Sequence, residues 1–267
     1  MSRYPNPAAL FAGTEQQYLR FRPAHPGLLV DLIADQDPAG TLLDLGCGPG
    51  SIALALADRG RDVIAVDVNP RMIDAARDAA ARSMARGKIR WQVGDAHHLT
   101  DIDPVAGVTI GDAFHWFDRA QVLAELNRIV VAGGFIALVM SFAAGTQKPW
   151  WYTVADQVLR RHLGTARHAG PEAMYEPPQG GDHESVLRAS AFNRLTVIRT
   201  DQPLQLDLTA VLGNQYTQAY SSPPLFGERF DDFDRELRAA FCAAEPSGVF
   251  AATVQPALII ARRGKDT

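Results

Sequence analysis

The spacing of apolar residues changes repeatedly along the chain, and each change marks an element. In "GLLVDLIADQ" (27–36), Leu28, Leu29, Leu32 and Ile33 recur as one face of a helix. "TLLDLG" is a short apolar run stopped by glycine, which predicts a buried strand. "SIALALADRG" predicts a helix closed by Gly60, because glycine takes the left-handed C-terminal conformation at little cost. The alternation continues with a strand in "DVIAVDV", an Ala-rich helix in "PRMIDAARDAAARSMARG" and a strand in "IRWQVGD". "VAGVTIGDAF" and "FIALVMSFA" predict a fourth and fifth strand around a helix in "RAQVLAELNRIVVAGG". Strands alternating with helices over 40–142 imply an α/β fold with an open, doubly wound, mostly parallel sheet.

After residue 142 the rhythm breaks. "KPWWYTVADQVLRRHLG" predicts an inserted helix, and the Pro/Gly-rich "AGPEAMYEPPQGGDH" a loop. "FNRLTVIRT" and "VFAATVQPALIIARR" have strand character and are expected to supply the last two strands, within 191–204 and 246–267. Two helical stretches, in "DLTAVLGNQYTQAY" and "DDFDRELRAAF", separate them. The expected organisation is one domain over 1–267. It comprises N-terminal cap helices (1–38), a ligand-binding core (40–142) and a helical lid built from 143–190 and 205–245. Loops on a rigid sheet usually carry recognition, so the lid is the expected source of specificity.

Composition narrows the class. With 267 residues, 47% hydrophobic and 21% charged, the chain is ordinary for a globular domain, and a net charge of -4 offers no basic field for a phosphate backbone. Two cysteines, Cys47 and Cys242, are too few for a disulfide framework or a zinc site. "MSRYPNPAALFAG" has no signal-peptide pattern, and no apolar stretch approaches the ~18 residues of a membrane span. A cytoplasmic protein with reduced thiols and no membrane partner is expected. The oligomeric state stays open, a homodimer included.

The candidate chemistry starts at "LLDLGCGPG" (42–50). Gly46, Gly48 and Gly50 alternate, whereas the dinucleotide fingerprint places its third glycine three residues after the second. Such a turn still allows close backbone approach by an adenosine cofactor, because glycine lacks a Cβ. Asp67 ends the next strand, where a carboxylate can accept from both ribose hydroxyls. Asp95 ends the third and could accept from an adenine amino group. Each feature alone is ordinary turn chemistry; in this order they converge on one crevice.

These motifs resemble the class I S-adenosylmethionine-dependent methyltransferases, in the small-molecule group of trans-aconitate and menaquinone/ubiquinone-type enzymes. The likeness runs through "DLGCGPG", "VIAVDVNPRMI", "VGDAHHL" and "GDAFHWFD". It extends to "YLRFRPAHP" at one end and "LGNQYTQAYSSPPLFGERFDDFDRELRAAF" at the other. It implies a seven-stranded sheet with a reversed last strand and S-adenosylmethionine as cofactor. By that resemblance Gly46, Gly48 and Gly50 lie beside the cofactor and Asp67 and Val68 at its ribose. Asp95 and Ala96 then meet adenine, and Asp44, Tyr18, Arg22 and Asp112 complete the cofactor set. Asp44 would support the turn or hold the cofactor's ammonium through water.

A sulfonium methyl is already activated, so its transfer needs positioning and exclusion of water more than elaborate catalytic machinery. A phenol or amine acceptor also needs a base, and His115 in "AFHWFD" is the catalytic candidate, its alternative being a pocket wall. Trp116, Trp150, Trp151 and Tyr216 are expected with His115 at the acceptor, although aromatic clusters also form cores. His97 and His98 are adjacent and point apart, which makes a poor metal pair, and no metal is expected.

The expected function is methylation of a small organic acceptor, O-methylation first, in specialised metabolism. A protein that binds the cofactor without methylating is the alternative. A nucleic-acid methyltransferase is disfavoured because "GDAFHWF" stands where amino-methylating enzymes resemble one another in Asn/Asp-Pro-Pro-aromatic. The glycine spacing argues against a nicotinamide dehydrogenase.

Overall fold

The computed structural model describes residues 3–264. Helices α1 (Glu15–Phe21) and α2 (Gly27–Ala34) precede β1 (Leu42–Leu45). The chain then runs through α3 (Ser51–Asp58), β2 (Val63–Asp67), α4 (Pro70–Ala80), β3 (Ile89–Val93), β4 (Val105–Gly111), α5 (Arg119–Ile129) and β5 (Val130–Met140). Beyond these lie α6 (Trp151–Leu163), α7 (His183–Arg188), β6 (Arg194–Arg199), β7 (Gln202–Asp207), α8 (Leu208–Tyr216), α9 (Phe230–Ala244), β8 (Val249–Val254) and β9 (Ala257–Arg262).

Seven strands form one sheet in the order β3-β2-β1-β4-β5-β9-β6. The five strands from β3 to β5 pair in parallel, and β9 runs antiparallel to both of its neighbours. This is the doubly wound, mostly parallel sheet that the alternation predicts. Helices cover both faces, so the central strands bury both of theirs. Leu43 and Leu45 pack with Val66, Ile110 and Leu138 on one side, while Leu42 packs with Val63, Ala65 and Val139 on the other. Burying each such aliphatic side chain stabilises the sheet by roughly 1.5–3 kcal/mol. The strand order reverses between β1 and β4, and a crevice opens there at the carboxyl ends.

Three segments depart from the sequence expectation. The apolar run at 249–263, read as one strand, is two: Pro256 has no N–H, and the chain changes partners there. β8 pairs with β7 in a separate antiparallel ribbon, and β9 joins the main sheet. The stretches read as the last two strands thus carry β6, β8 and β9, while β7 runs past residue 204 into the stretch read as lid. The ribbon packs on α6, α8 and α9 through Trp151, Val158, Phe233, Leu237, Phe241 and Phe250, so the lid has a core of its own. Helix α4 stops at Ala80 although helical composition runs on to Arg86. The reason is tertiary. The Arg86 and Gly87 amides donate to the Ala57 carbonyl at 3.1 and 2.8 Å, and a Cβ at Gly87 would lie 2.0 Å from the Arg61 carbonyl oxygen.

Candidate functional site

Between β1 and α3 the chain reverses through Gly46, Gly48 and Gly50, at φ +68°, +53° and +87°, a region that side chains with a Cβ rarely adopt. The three glycines do different things. A Cβ on Gly46 would meet Ala113 Cβ at 2.8 Å and Phe117 Cζ at 3.1 Å, so this glycine lets β1 and the segment after β4 touch. Gly48 has nothing within 4 Å and faces a cavity. Gly50 turns away from that cavity, since its Cβ would strike the Trp91 ring at 2.4 Å. Asp44 lies beneath the turn, 1% exposed. It accepts from Ala53 N at 3.0 Å and Thr109 Oγ1 at 2.9 Å, pinning the first turn of α3 to β4. Burial pushes its pKa up to about 7 against the pull of those two hydrogen bonds.

Asp67 closes β2 and holds the turn from the side. Its Oδ2 accepts from Gly48 N and its Oδ1 from Asn69 N, both at 2.8 Å. Burial raises its pKa, and these amide bonds oppose the rise. Asn69 in turn caps α4 by accepting from Arg71 N. Asp95, after β3, is committed to His97: its Oδ1 accepts the His97 amide at 3.0 Å and lies 2.6 Å from His97 Nδ1. Partial burial would raise the Asp95 pKa, but the His97 bonds hold it below the usual carboxylate range. Gly46, Gly48, Asp67, Val68, Asp95 and Ala96 line one cavity, roofed by Pro7, Ala8, Leu10, Phe11 and Tyr18.

Asp112 stands where this cavity meets a second one. It is the one non-glycine among the described residues with positive φ, at 47°. Its Oδ1 accepts from Ser141 N at 2.9 Å, while its Oδ2 accepts from Arg22 Nη2 at 3.2 Å and from the Ser141 hydroxyl. Burial alone would raise its pKa; Arg22, His25 and Ser141 outweigh burial and bring it to about 2. Trp116 also borders both cavities and packs against Tyr4, Phe11 and Tyr175. His115 lines the second cavity beside His183, ring centroids 6.4 Å apart and nearly parallel. Burial drives the His115 pKa down to about 4; Asp112 opposes this, and His183, Arg167 and Arg22 reinforce it. His183 falls to about 4 as well, through burial and then Arg119, whose Nη1 lies 3.3 Å from His183 Nδ1.

Tyr18, Gly46, Gly48, Asp67, Val68, Asp95, Ala96, Asp112 and Trp116 therefore gather at the first cavity, and Arg22 and His115 at the second. Five others line neither cavity, Asp44 among them in the turn-supporting place that the resemblance allows. Gly50 packs against Trp91, and Asp44 lies under the turn. Trp150 stacks on Phe250 at 5.6 Å, Trp151 is fully buried in the lid core, and Tyr216 donates its hydroxyl to Asp234. The aromatic residues at the start of α6 part ways, Trp150 lining a groove beyond the second cavity. Trp151, Ala155, Val158 and Leu159 form an i, i+4, i+7, i+8 stripe that the lid core absorbs, and the next residue, Tyr152, faces the second cavity. Lys148, Arg167, His183 and Tyr220 also line it, as does Phe11 along with the first cavity. Sequence gave no signal for these, because the loops that deliver them are irregular.

This sheet order, its reversed β9 and the acidic strand ends around a glycine turn define the class I methyltransferase fold. Residues 42–134 match the family described as "Methyltransferase domain", and that segment carries the glycine turn and the acidic strand ends. An uncharacterised methyltransferase of Mycobacterium tuberculosis (strain ATCC 25618 / H37Rv) is 34% identical over 130 residues, 48% of this chain and 51% of its own length. The trans-aconitate 2-methyltransferase of Azoarcus sp. (strain BH72) is 32% identical over 131 residues, 47% of this chain and 49% of its own. The chain thus spans about half the length of these curated relatives. Among solved structures, the YcgJ protein of Bacillus subtilis superimposes with a TM-score of 0.53 at 17% identity, covering 89% of this chain and 97% of its own. At that identity the likeness is one of fold. No helix among the described residues is long and apolar enough to cross a membrane.

Proposed function

We propose that this chain transfers a methyl group from S-adenosylmethionine to an oxygen atom of a small organic acceptor. One observation carries the reading: two cavities, one walled by the glycine turn and the acidic strand ends, share Phe11, Tyr18, Asp112, Ala113 and Trp116 as a common border. The first cavity suits the cofactor. Gly48 leaves open space where a Cβ would stand, and each Asp67 oxygen keeps a lone pair beyond those used by Gly48 and Asn69, enough to accept from the ribose diol. Asp95 and the Ala96 amide would take the adenine edge, with Val68 beside the ribose. Tyr18 and Arg22, together with Asp112, would bound the methionine end. Bound there, S-adenosylmethionine supplies a methyl group activated for in-line displacement.

The second cavity is the acceptor's. His115 makes no side-chain hydrogen bond to any described residue, so its ring is available to the acceptor. With a pKa near 4 it is a neutral imidazole at pH 7, able to accept a hydrogen bond and too weak a base to ionise an alcohol before attack. It therefore orients the acceptor oxygen, and the hydroxyl proton passes to solvent as the new O–methyl bond forms and S-adenosylhomocysteine leaves. A net charge of -4, which offers no basic field, favours a small molecule over nucleic acid. Calorimetric titration with S-adenosylhomocysteine, followed by assays for transfer of labelled methyl to a panel of small hydroxy compounds, tests the reading. Binding with transfer supports it. Absence of cofactor binding overturns it, and tight binding without transfer to any acceptor favours a non-methylating protein.

A further inference from the structure

Most cations of the lid are neutralised by carboxylates: Arg160 pairs with Asp156 at 2.6 Å and Arg161 with Glu236. Two are held differently. The Arg167 guanidinium lies between the rings of Tyr175 and Tyr220, 4.7 and 4.5 Å from their centroids, and the Lys148 ammonium sits 5.2 Å from the Tyr152 centroid. Neither side chain makes an ion pair or hydrogen bond with any described residue. Aromatic faces fix a cation in place and leave its N–H groups free to bind an anion.

Their position is as telling as their state. Lys148, Tyr152, Arg167 and Tyr220 line both the second cavity and an adjoining open groove. They form the neck between the two. Where the second cavity meets the first, Arg22 and Asp112 are paired with each other at 3.2 Å, so Arg22 is already engaged there. Neither cation at the neck has a carboxylate in ion-pair contact among the described residues. Burial lowers the Lys148 pKa, Arg167 and Arg22 lower it further, and Asp112 opposes them.

We propose that the acceptor is an elongated molecule bearing a carboxylate remote from its methylated atom, and that Lys148 and Arg167 hold this carboxylate at the neck. The nucleophilic end then reaches past Tyr152 and Tyr220 to His115, and the remainder of a longer acceptor extends into the groove. This inference rests on the methyltransferase reading above, since it assigns the second cavity to the acceptor.

The test titrates the whole protein calorimetrically with 8-hydroxyoctanoate and with its uncharged primary amide, each with and without S-adenosylhomocysteine. The wild type is expected to bind the acid about tenfold more tightly than the amide, a difference of about 1.4 kcal/mol. The K148A/R167A double variant is expected to lose that preference, with retained S-adenosylhomocysteine binding showing that it is folded. Equal binding of the two probes, binding of neither, or a preference that survives in the double variant would overturn the proposal. Failure of S-adenosylhomocysteine to bind would strike the methyltransferase reading instead. The titrations without it still read the anion preference.

Discussion

His97 Nδ1 donates to Asp95 Oδ1 at 2.6 Å while His97 Nε2 accepts the Asp118 amide at 3.0 Å. A nitrogen that accepts carries no proton, so the network sets a neutral tautomer with Nδ1–H. One buried imidazole thereby ties the loop after β3 to the N-cap of α5, where Asp118 accepts from Gln121 N. Replacing His97 by alanine leaves the Asp118 amide without its acceptor and frees the Asp95 carboxylate. The expected cost is about 1–3 kcal/mol of stability, read from urea denaturation, with weaker S-adenosylhomocysteine binding by calorimetry.

Gly46 and Gly48 should fail in different ways when changed to alanine. Both sit at positive φ, which costs a non-glycine residue about 1–2 kcal/mol. At Gly46 the new methyl also presses on Ala113 and Phe117, so G46A should show the larger fall in melting temperature. At Gly48 the methyl enters open cavity. G48A should therefore lose less stability and more cofactor affinity, and thermal melts beside calorimetric titrations separate the two effects.

Asp67 touches the turn and, in the proposed complex, the ribose. The Asp67→Asn change removes the charge from both, and a hydrogen bond to a charged group contributes about 1.5–3 kcal/mol. S-adenosylhomocysteine binding should weaken by about tenfold or more. An unchanged dissociation constant would remove Asp67 from the cofactor site.

The sheet and the first cavity were legible because they are built from local patterns. Short apolar runs ending in Gly46, Asp67 and Asp95 announce both the strands and the direction in which their ends point. The lid was not legible. Trp151 and Tyr152 are neighbours, and which of them meets the core depends on how α6 packs against α9 and the β7–β8 ribbon, contacts distant in sequence. Likewise, nothing local distinguishes His97, a buried bridge, from the exposed His98.

The depressed pKa of His183 gives stability a defined pH dependence. The unfolded chain binds a proton near pH 6.5 and the folded chain near 4, so between these values the unfolded state holds more protons. The contribution is complete above 6.5 and is lost as the pH falls toward 4. His183→Phe abolishes it. The stability of wild type relative to H183F should fall by about 1–2 kcal/mol between pH 7 and pH 5, measured by urea unfolding at each pH.

His115→Ala probes orientation against base catalysis. An orienting imidazole predicts a loss of about tenfold in kcat/KM, with the pH profile above 6 unchanged in shape. Loss of an acidic limb within that range would instead identify a base.

The roof over the first cavity is made of Pro7, Ala8, Leu10, Phe11 and Tyr18, and its partners lie far along the chain. Arg3 reaches the carbonyls of His115 and Glu176, and Gly170 packs on Ala9 while its amide donates to the carbonyl of Ala219. The roof can thus be seated only after the residues around His115, Gly170 and Glu176 have been made. During synthesis the strand ends of β1 to β4 stand uncovered, and sealing the crevice is a late act of maturation.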